Sequence, residues 1–196
     1  MTHPDEAALV ERAKTDPIAF AALYDRYVER LYAYALRQTG DPPAAQDITA
    51  ATFEKALRHI RRFRWQEAGV APWLYRIARN EIAQHYRRGR FTTTPWRGRD
   101  GEEPDEPPPP AGQGGRPIES ALLRGERDGA LHAALRRLGE ADRDVLTLRF
   151  LEGLPTEDVA AILGCSRDNV YVRLHRALAR LRGQLERPER AEEISR

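Results

Sequence analysis

The residues of this chain best suited to chemistry are arginines set among aromatic and amide side chains. Arg64, Trp65, Gln66 and Glu67 form one run, and Arg76, Arg79, Asn80 and Arg87 follow at spacings that share a helix face. Guanidinium groups neutralise phosphates while aromatic rings stack on unpaired bases, so this set points to single-stranded nucleic acid. Holding a flipped base also needs an adjacent pocket, a task that suits a loop at 63–71. A second set lies near the C-terminus: Arg167, Asp168, Tyr171, Val172, Arg173, His175 and Arg176. These suit a helix in a DNA major groove, where one bidentate Arg–guanine pair discriminates by ~1–3 kcal/mol. Catalytic sets are missing. No paired carboxylates stand beside the basic residues, and no glycine loop could cradle a phosphate. His3, His59, His85, His132 and His175 have no metal-ligand spacing, and Cys165 stands alone. Neither enzymatic activity nor a metal or cofactor is expected.

The overall charge hides this arrangement. The formal net charge is only +2, yet residues 58–90 hold nine Arg against Glu67 and Glu81, an excess of +7. Residues 166–182 hold five Arg against Asp168, an excess of +4. Two basic segments in an otherwise acidic chain are the footprint of a nucleic-acid binder with two contact surfaces. Lysine is nearly absent, at Lys14 and Lys55 only. A GC-rich genome explains that bias as well as guanidinium chemistry does, so it carries no functional weight. No run approaches the ~20 apolar residues of a membrane span, and the N-terminus lacks the basic and apolar segments of a signal peptide. The expected location is cytoplasmic, without membrane insertion.

The elements that must position these residues are helical throughout. Asp16-Pro17 gives an N-cap followed by proline at the first helical position. Phe20, Leu23, Tyr24, Tyr27, Leu31 and Tyr34 then follow the helical apolar rule as far as Gly40. Asp41-Pro42 starts a second helix with Ile48, Phe53, Ala56, Leu57 and Ile60 as its stripe. Residues 63–71 read as a loop containing Gly69, and Pro72 opens a third helix through Arg88. Leu74, Ala78, Ile82 and Tyr86 line its apolar face, with Arg76, Arg79, Asn80 and Arg87 on another. Trp73 and Tyr75 read more simply as core aromatics, whereas Trp65, in a polar loop, is the better partner for DNA.

Residues 91–118 hold half of the chain's 14 prolines, including Pro107 to Pro110, with five Gly and the acids Asp100, Glu102, Glu103, Asp105 and Glu106. Such a segment buries too little apolar surface to fold and reads as an extended, semi-stiff linker. The expected organisation is therefore all-α: two small helical domains, 1–90 and 119–187, joined by a Pro/Gly-rich acidic linker at 91–118, with a disordered tail at 188–196. No further regulatory domain is expected after the last helix.

The second domain begins with a helix at 119–138 (Leu123, Leu131, Ala134, Leu135, Leu138) and another from Asp142 to Glu152, ended by Gly153. Two short helices follow, 156–163 and 166–183. Val159, Ala160 and Leu163 face inward, Gly164 permits the reversal, Ser166 caps the second helix, and Val170, Leu174 and Leu178 hold it against the first. This is a helix-turn-helix, whose second helix enters the major groove.

The run from Leu151 to Ala177, ending Val170-Tyr171-Val172-Arg173-Leu174-His175-Arg176-Ala177, resembles the minus-35-reading domain (region 4) of extracytoplasmic-function (ECF) sigma factors of the sigma-70 family. The resemblance implies that Tyr171, Val172, His175 and Arg176 read the minus-35 element, with Arg149 and Arg173 near phosphates. Pro155, Asn169, Tyr171 and Val172 depart from the common pattern, and the last two favour apolar contact such as a thymine methyl. Phe63 to Glu67 and Pro72 to Asn80 resemble the minus-10 part (region 2) of the same family. There Arg64, Trp65, Gln66 and Glu67 would lie in the base-capturing loop, and Arg76 and Asn80 on the helix against the melted strand. Ala45 to Phe53 resembles the family's polymerase-clamp helix, implying core contacts at Asp47, Ile48, Thr52 and Phe53. Ala50 and Ala51 stand there where polar residues are frequent.

The resemblance implies a sigma factor that directs core RNA polymerase, through clamp and flap, to promoter DNA. The genes served would form a stress or environmental-response regulon, and an anti-sigma factor is a further partner of the kind many relatives have. Two other readings stay open on the residues alone. A standalone helix-turn-helix repressor or activator predicts a dimer on a palindromic operator and leaves the Arg and aromatic set at 63–90 unexplained. A nucleic-acid enzyme would need the catalytic groups that are missing.

Overall fold

The computed structural model describes residues 4–90 and 129–193, and among these there are helices and turns but no strand. The chain divides into two compact units between residues 96 and 97. The expected linker at 91–118, and Leu123 with the rest of 119–128, lie outside the described residues.

The first unit contains α1 (Pro4–Ala13), α2 (Pro17–Thr39), α3 (Pro42–His59), a 3-10 turn (Ile60–Arg62) and α4 (Ala71–Arg90). Helix α1 goes beyond the sequence expectation. Its cues are present but short: Pro4 first, Asp5 and Glu6 in the first turn, Arg12 in the last. Asp16 caps α2 through a side-chain oxygen that accepts the Ile18 N–H at 2.9 Å. At the other end Gly40 takes the left-handed conformation (φ 69°) and donates to the Leu36 carbonyl. Leu23, Tyr27, Leu31 and Tyr34 are buried as the spacing requires, whereas Phe20 is half-buried and Tyr24 is exposed.

Helix α3 buries Ile48, Phe53 and Ala56, and Ile60 is buried in the following turn. Leu57 was expected in that stripe but is 54% exposed. It lies about 100° round the helix from Ala56, past the edge of the buried face. Helix α4 enters its first turn with the Leu74 N–H donating to Val70 O at 3.1 Å. Leu74, Tyr75, Ala78 and Ile82 are buried against α2 and α3. The Tyr75 ring meets Tyr34 edge-on at 5.3 Å, and the Tyr86 hydroxyl donates to Gln38 O at 2.5 Å.

The second unit contains α5 (Gly129–Arg137), α6 (Glu140–Leu146), a wide π-type turn (Thr147–Leu151), α7 (Thr156–Leu163) and α8 (Arg167–Glu193). The expected helix from Asp142 to Glu152 is thus α-helical only as far as Leu146. It widens where Glu152 N–H reaches Thr147 O, and the chain then reverses at Gly153 (φ 67°). Leu131, Leu135, Val145, Leu148, Val159, Ile162, Val170, Ala177 and Leu181 form the core. Arg180 of α8 reaches Asp142 of α6 at 2.5 Å. Helix α8 continues to Glu193, so residues 188–193 of the expected tail are helical. Pro188 removes one backbone donor, but the Glu, Arg and Ala around it are good helix formers.

Candidate nucleic-acid interfaces

In the first unit the loop 63–70 leads directly into α4. Arg64, Gln66 and Glu67 are exposed there, and Trp65 is half-buried. The loop is held in shape by Gly69 (φ 75°), whose N–H donates to Gln66 O at 2.9 Å. A side chain with a Cβ would strain at that φ. Below the loop, Phe63 and Trp73 pack with ring centroids 4.9 Å apart. Tyr75 is fully buried and is a core aromatic; Trp73 is half-buried against Phe63, and Trp65, equally half-buried, is the ring that the loop itself carries.

On α4, Arg76, Asn80 and Arg87 are exposed and Arg79 is half-buried. Arg79, Asn80 and Arg87 follow Arg76 by three, four and eleven residues, which places all four on one side of the helix. Arg61 and Arg62, in the 3-10 turn before the loop, are also exposed. The sequence reading counted them in the basic excess without giving them a position. Short apolar-poor turns have no periodicity to place their side chains.

Of the four residues expected to meet polymerase, only Asp47 is exposed. Ile48, Thr52 and Phe53 are buried, and the Thr52 hydroxyl donates back to Ile48 O at 2.7 Å. The Phe53 ring lies 4.5 Å from that of Tyr24. In the first unit these three side chains hold α3 in the bundle. The side of α3 open to a partner carries Gln46, Asp47, Ala50, Glu54 and Leu57, and Ile18 of α2 is 80% exposed.

In the second unit the reversal between α7 and α8 is built as the residues suggest. Gly164 is left-handed (φ 68°) with its N–H on Ala160 O, and Ser166 Oγ accepts the Asn169 N–H at 3.2 Å. Val159 and Val170 are fully buried; Ile162 takes the deep position and Leu163 and Leu178 are half-buried. Arg167, Asp168, Tyr171, His175 and Arg176 are exposed along α8, with Val172 and Arg173 half-buried beside them. Tyr171 is 58% exposed, unusual for a ring with no partner to cover it.

Two arginines of the set are also engaged within the unit. Arg167 donates to Glu157 at 3.0 Å, and both side chains are exposed. The Glu157 carboxyl is held below its usual range, first by its own backbone N–H and then by Arg167. Arg149, in the π-type turn, donates to Leu154 O at 3.3 Å, with its guanidinium 6.0 Å from the Phe150 ring centre. Asp158, next to Glu157, is buried, and loss of solvation followed by the neighbouring charge raises its carboxyl. Among the described residues no cluster of His, Cys, Asp or Glu could hold a metal ion, and no helix is long and apolar enough to cross a membrane.

Residues 23–92 match the family described as Sigma-70 region 2, and residues 128–181 match Sigma-70, region 4. The ECF RNA polymerase sigma factor BldN of Streptomyces coelicolor is 34% identical over 176 residues, covering 88% of this chain and 63% of BldN. The chain therefore spans less than two thirds of that relative. RNA polymerase sigma-H factor of Pseudomonas aeruginosa is 34% identical over 182 residues, 90% of this chain and 92% of the relative. Among solved structures, the sigma factor RpoE in complex with the anti-sigma factor NepR, from Bartonella quintana, matches with a TM-score of 0.63 at 26% identity. That match covers 85% of this chain and 96% of RpoE. CnrH, solved with the cytosolic domain of CnrY, agrees in fold (TM-score 0.62, 24% identity) over 91% of this chain and 96% of CnrH.

Proposed function

The chain belongs to the sigma-70 family as an RNA polymerase sigma factor of the ECF type, and from that premise we propose that it directs core RNA polymerase to specific promoters. The observation that carries this reading is the pair of exposed basic surfaces, one in each unit and each built differently. One is a loop-plus-helix face with Trp65 at its surface; the other is the second helix of a helix-turn-helix. A single duplex reader needs only the second. A protein that must also hold an unpaired strand needs the first.

In the proposed division of labour, Arg64, Trp65, Gln66 and Glu67 take an unpaired base of the minus-10 element. Arg76, Arg79, Asn80 and Arg87 follow the melted strand. Tyr171, Val172, His175 and Arg176 face base edges of the minus-35 element, with Arg149, Arg167 and Arg173 beside phosphates. Two tethered contacts of modest strength reinforce each other through effective concentration. The polymerase clamp docks on the open side of α3, at Asp47, Ala50, Glu54 and Leu57. The protein works in the cytoplasm and has no catalytic chemistry of its own. It serves a stress or environmental-response regulon, and an anti-sigma factor is a partner consistent with the complexed state of the similar RpoE.

Run-off transcription with core polymerase on a promoter library, with and without this protein, tests the reading. Initiation should depend on the protein at a subset of promoters. If no promoter responds, the protein is not a sigma factor in function.

A further inference from the structure

The side of α4 that faces strand DNA is fixed by what its opposite side does. One residue of rotation about the helix axis is about 100°, enough to carry Arg76 and Asn80 from solvent toward α3. The apolar contacts of Leu74, Ala78 and Ile82 forbid a full step, which would expose them, but burial is non-directional and fixes smaller rotations less tightly. Two directional ties narrow the rotation further. One is the Tyr86 hydroxyl on Gln38 O, near the C-terminal end of α4. The other is Glu81, the single acid of α4, which is 3% exposed. Its Oε1 accepts from Lys55 Nζ of α3 at 2.5 Å and from Gln84 Nε2 at 3.4 Å. Lys55 is one of only two lysines in the chain.

We infer that Glu81, held by Lys55, is a positioning residue that sets the rotation of α4 and so aims Arg76, Arg79 and Asn80 at the melted strand. The inference rests on the promoter-opening role proposed above. This ion pair is half-desolvated, with Glu81 buried and the Lys55 side chain 34% exposed, so it contributes little net stability compared with a packed apolar pair of similar volume, whereas its geometry is specific. Stability and aim are therefore separable here. Lys55 also sits one residue after Glu54, on the helix whose open side is assigned to the clamp. The pair thus links the polymerase-facing helix to the DNA-facing one.

The test is the Lys55→Met/Glu81→Leu double variant of the full chain, assayed with core polymerase. Its melting temperature should equal or exceed the wild type's, and core binding should be unchanged. Open-complex formation on a responsive promoter should fall on the order of 10- to 100-fold, the range a small misplacement produces. The charge-swapped Lys55→Glu/Glu81→Lys variant should recover part of that loss. Opening at the wild-type rate by the apolar pair would overturn the inference. If the apolar pair does not fold, the swapped pair decides: opening better than the single Glu81→Lys variant supports the inference, and no better overturns it. A wild-type protein that opens no promoter would instead sink the proposed function itself.

Discussion

Arg167, the first residue of α8, donates to Glu157 in the first turn of α7 at 3.0 Å, joining the two helices of the helix-turn-helix across their turn. Both side chains stand in solvent, so the pair adds little to stability. For the proposed phosphate contact of Arg167 it matters more, because a neighbouring carboxylate repels phosphate and competes for the same donors. Glu157→Gln should leave the melting temperature unchanged. The variant holoenzyme should bind duplex promoter DNA more tightly, with a salt slope steeper by about one unit for the phosphate contact released. Affinity measured across a salt series decides it: an unchanged slope would remove Arg167 from the phosphate contacts.

Tyr171 is the exposed large apolar residue of the second helix of the helix-turn-helix. Tyr171→Ala removes little packing, so folding should be intact. Specific promoter binding should weaken by about 1–3 kcal/mol, the range for losing one good base contact. Selection from a randomised minus-35 library should lose preference at one base position. An unchanged selected sequence would show that the ring does not touch the bases.

The two kinds of residue on α3 should respond differently to change. Leu57 is exposed and Phe53 is buried against Tyr24. Leu57→Asp should abolish or strongly weaken core polymerase binding while the protein stays folded. Phe53→Ala should destabilise the first unit by about 3–5 kcal/mol, or toward the lower end because Tyr24 is itself partly exposed. Pull-down of core polymerase beside thermal melting separates the two. Full core binding by the Leu57 variant would move the docking face elsewhere.

That contrast also shows what the sequence could and could not carry. Helical periodicity and the caps at Asp16, Gly40, Gly164 and Ser166 place most helices, because caps and spacing are local signals. The motif around Asp47 names a helix but not which of its side chains lie inside the bundle. Which side of α3 is buried depends on α2 and α4, neither of which local spacing can see. The same holds for Leu57, apolar yet outside, and for Ile162 taking the deep position in place of Leu163. Helix α1 escapes because its pattern is only ten residues long. The Lys55–Glu81 pair joins residues 26 apart in sequence, a distance at which charge pattern alone predicts nothing.

The hydroxyl of Tyr27 donates to the Glu6 carboxylate at 2.5 Å and ties α1 to α2. Arg26 lies 3.8 Å from the same carboxylate. Burial first, and then the bond to Glu6, raise the Tyr27 phenol far above its ordinary value. The folded state therefore favours the neutral phenol. Its stabilisation is fully present below pH ~10, where an unfolded tyrosine titrates, and is lost as pH rises from there toward the folded value. Tyr27→Phe removes the donor and leaves Glu6 buried with Arg26 alone, which should cost about 1–3 kcal/mol at neutral pH. The gap between wild type and variant should narrow as pH rises above ~10, because only the wild type carries this titration. Denaturant unfolding at pH 7 and in the alkaline range measures it. Tryptophan fluorescence follows the first unit through Trp65 and Trp73. A gap that stays constant across that range would mean that the Tyr27 proton is not held by the fold.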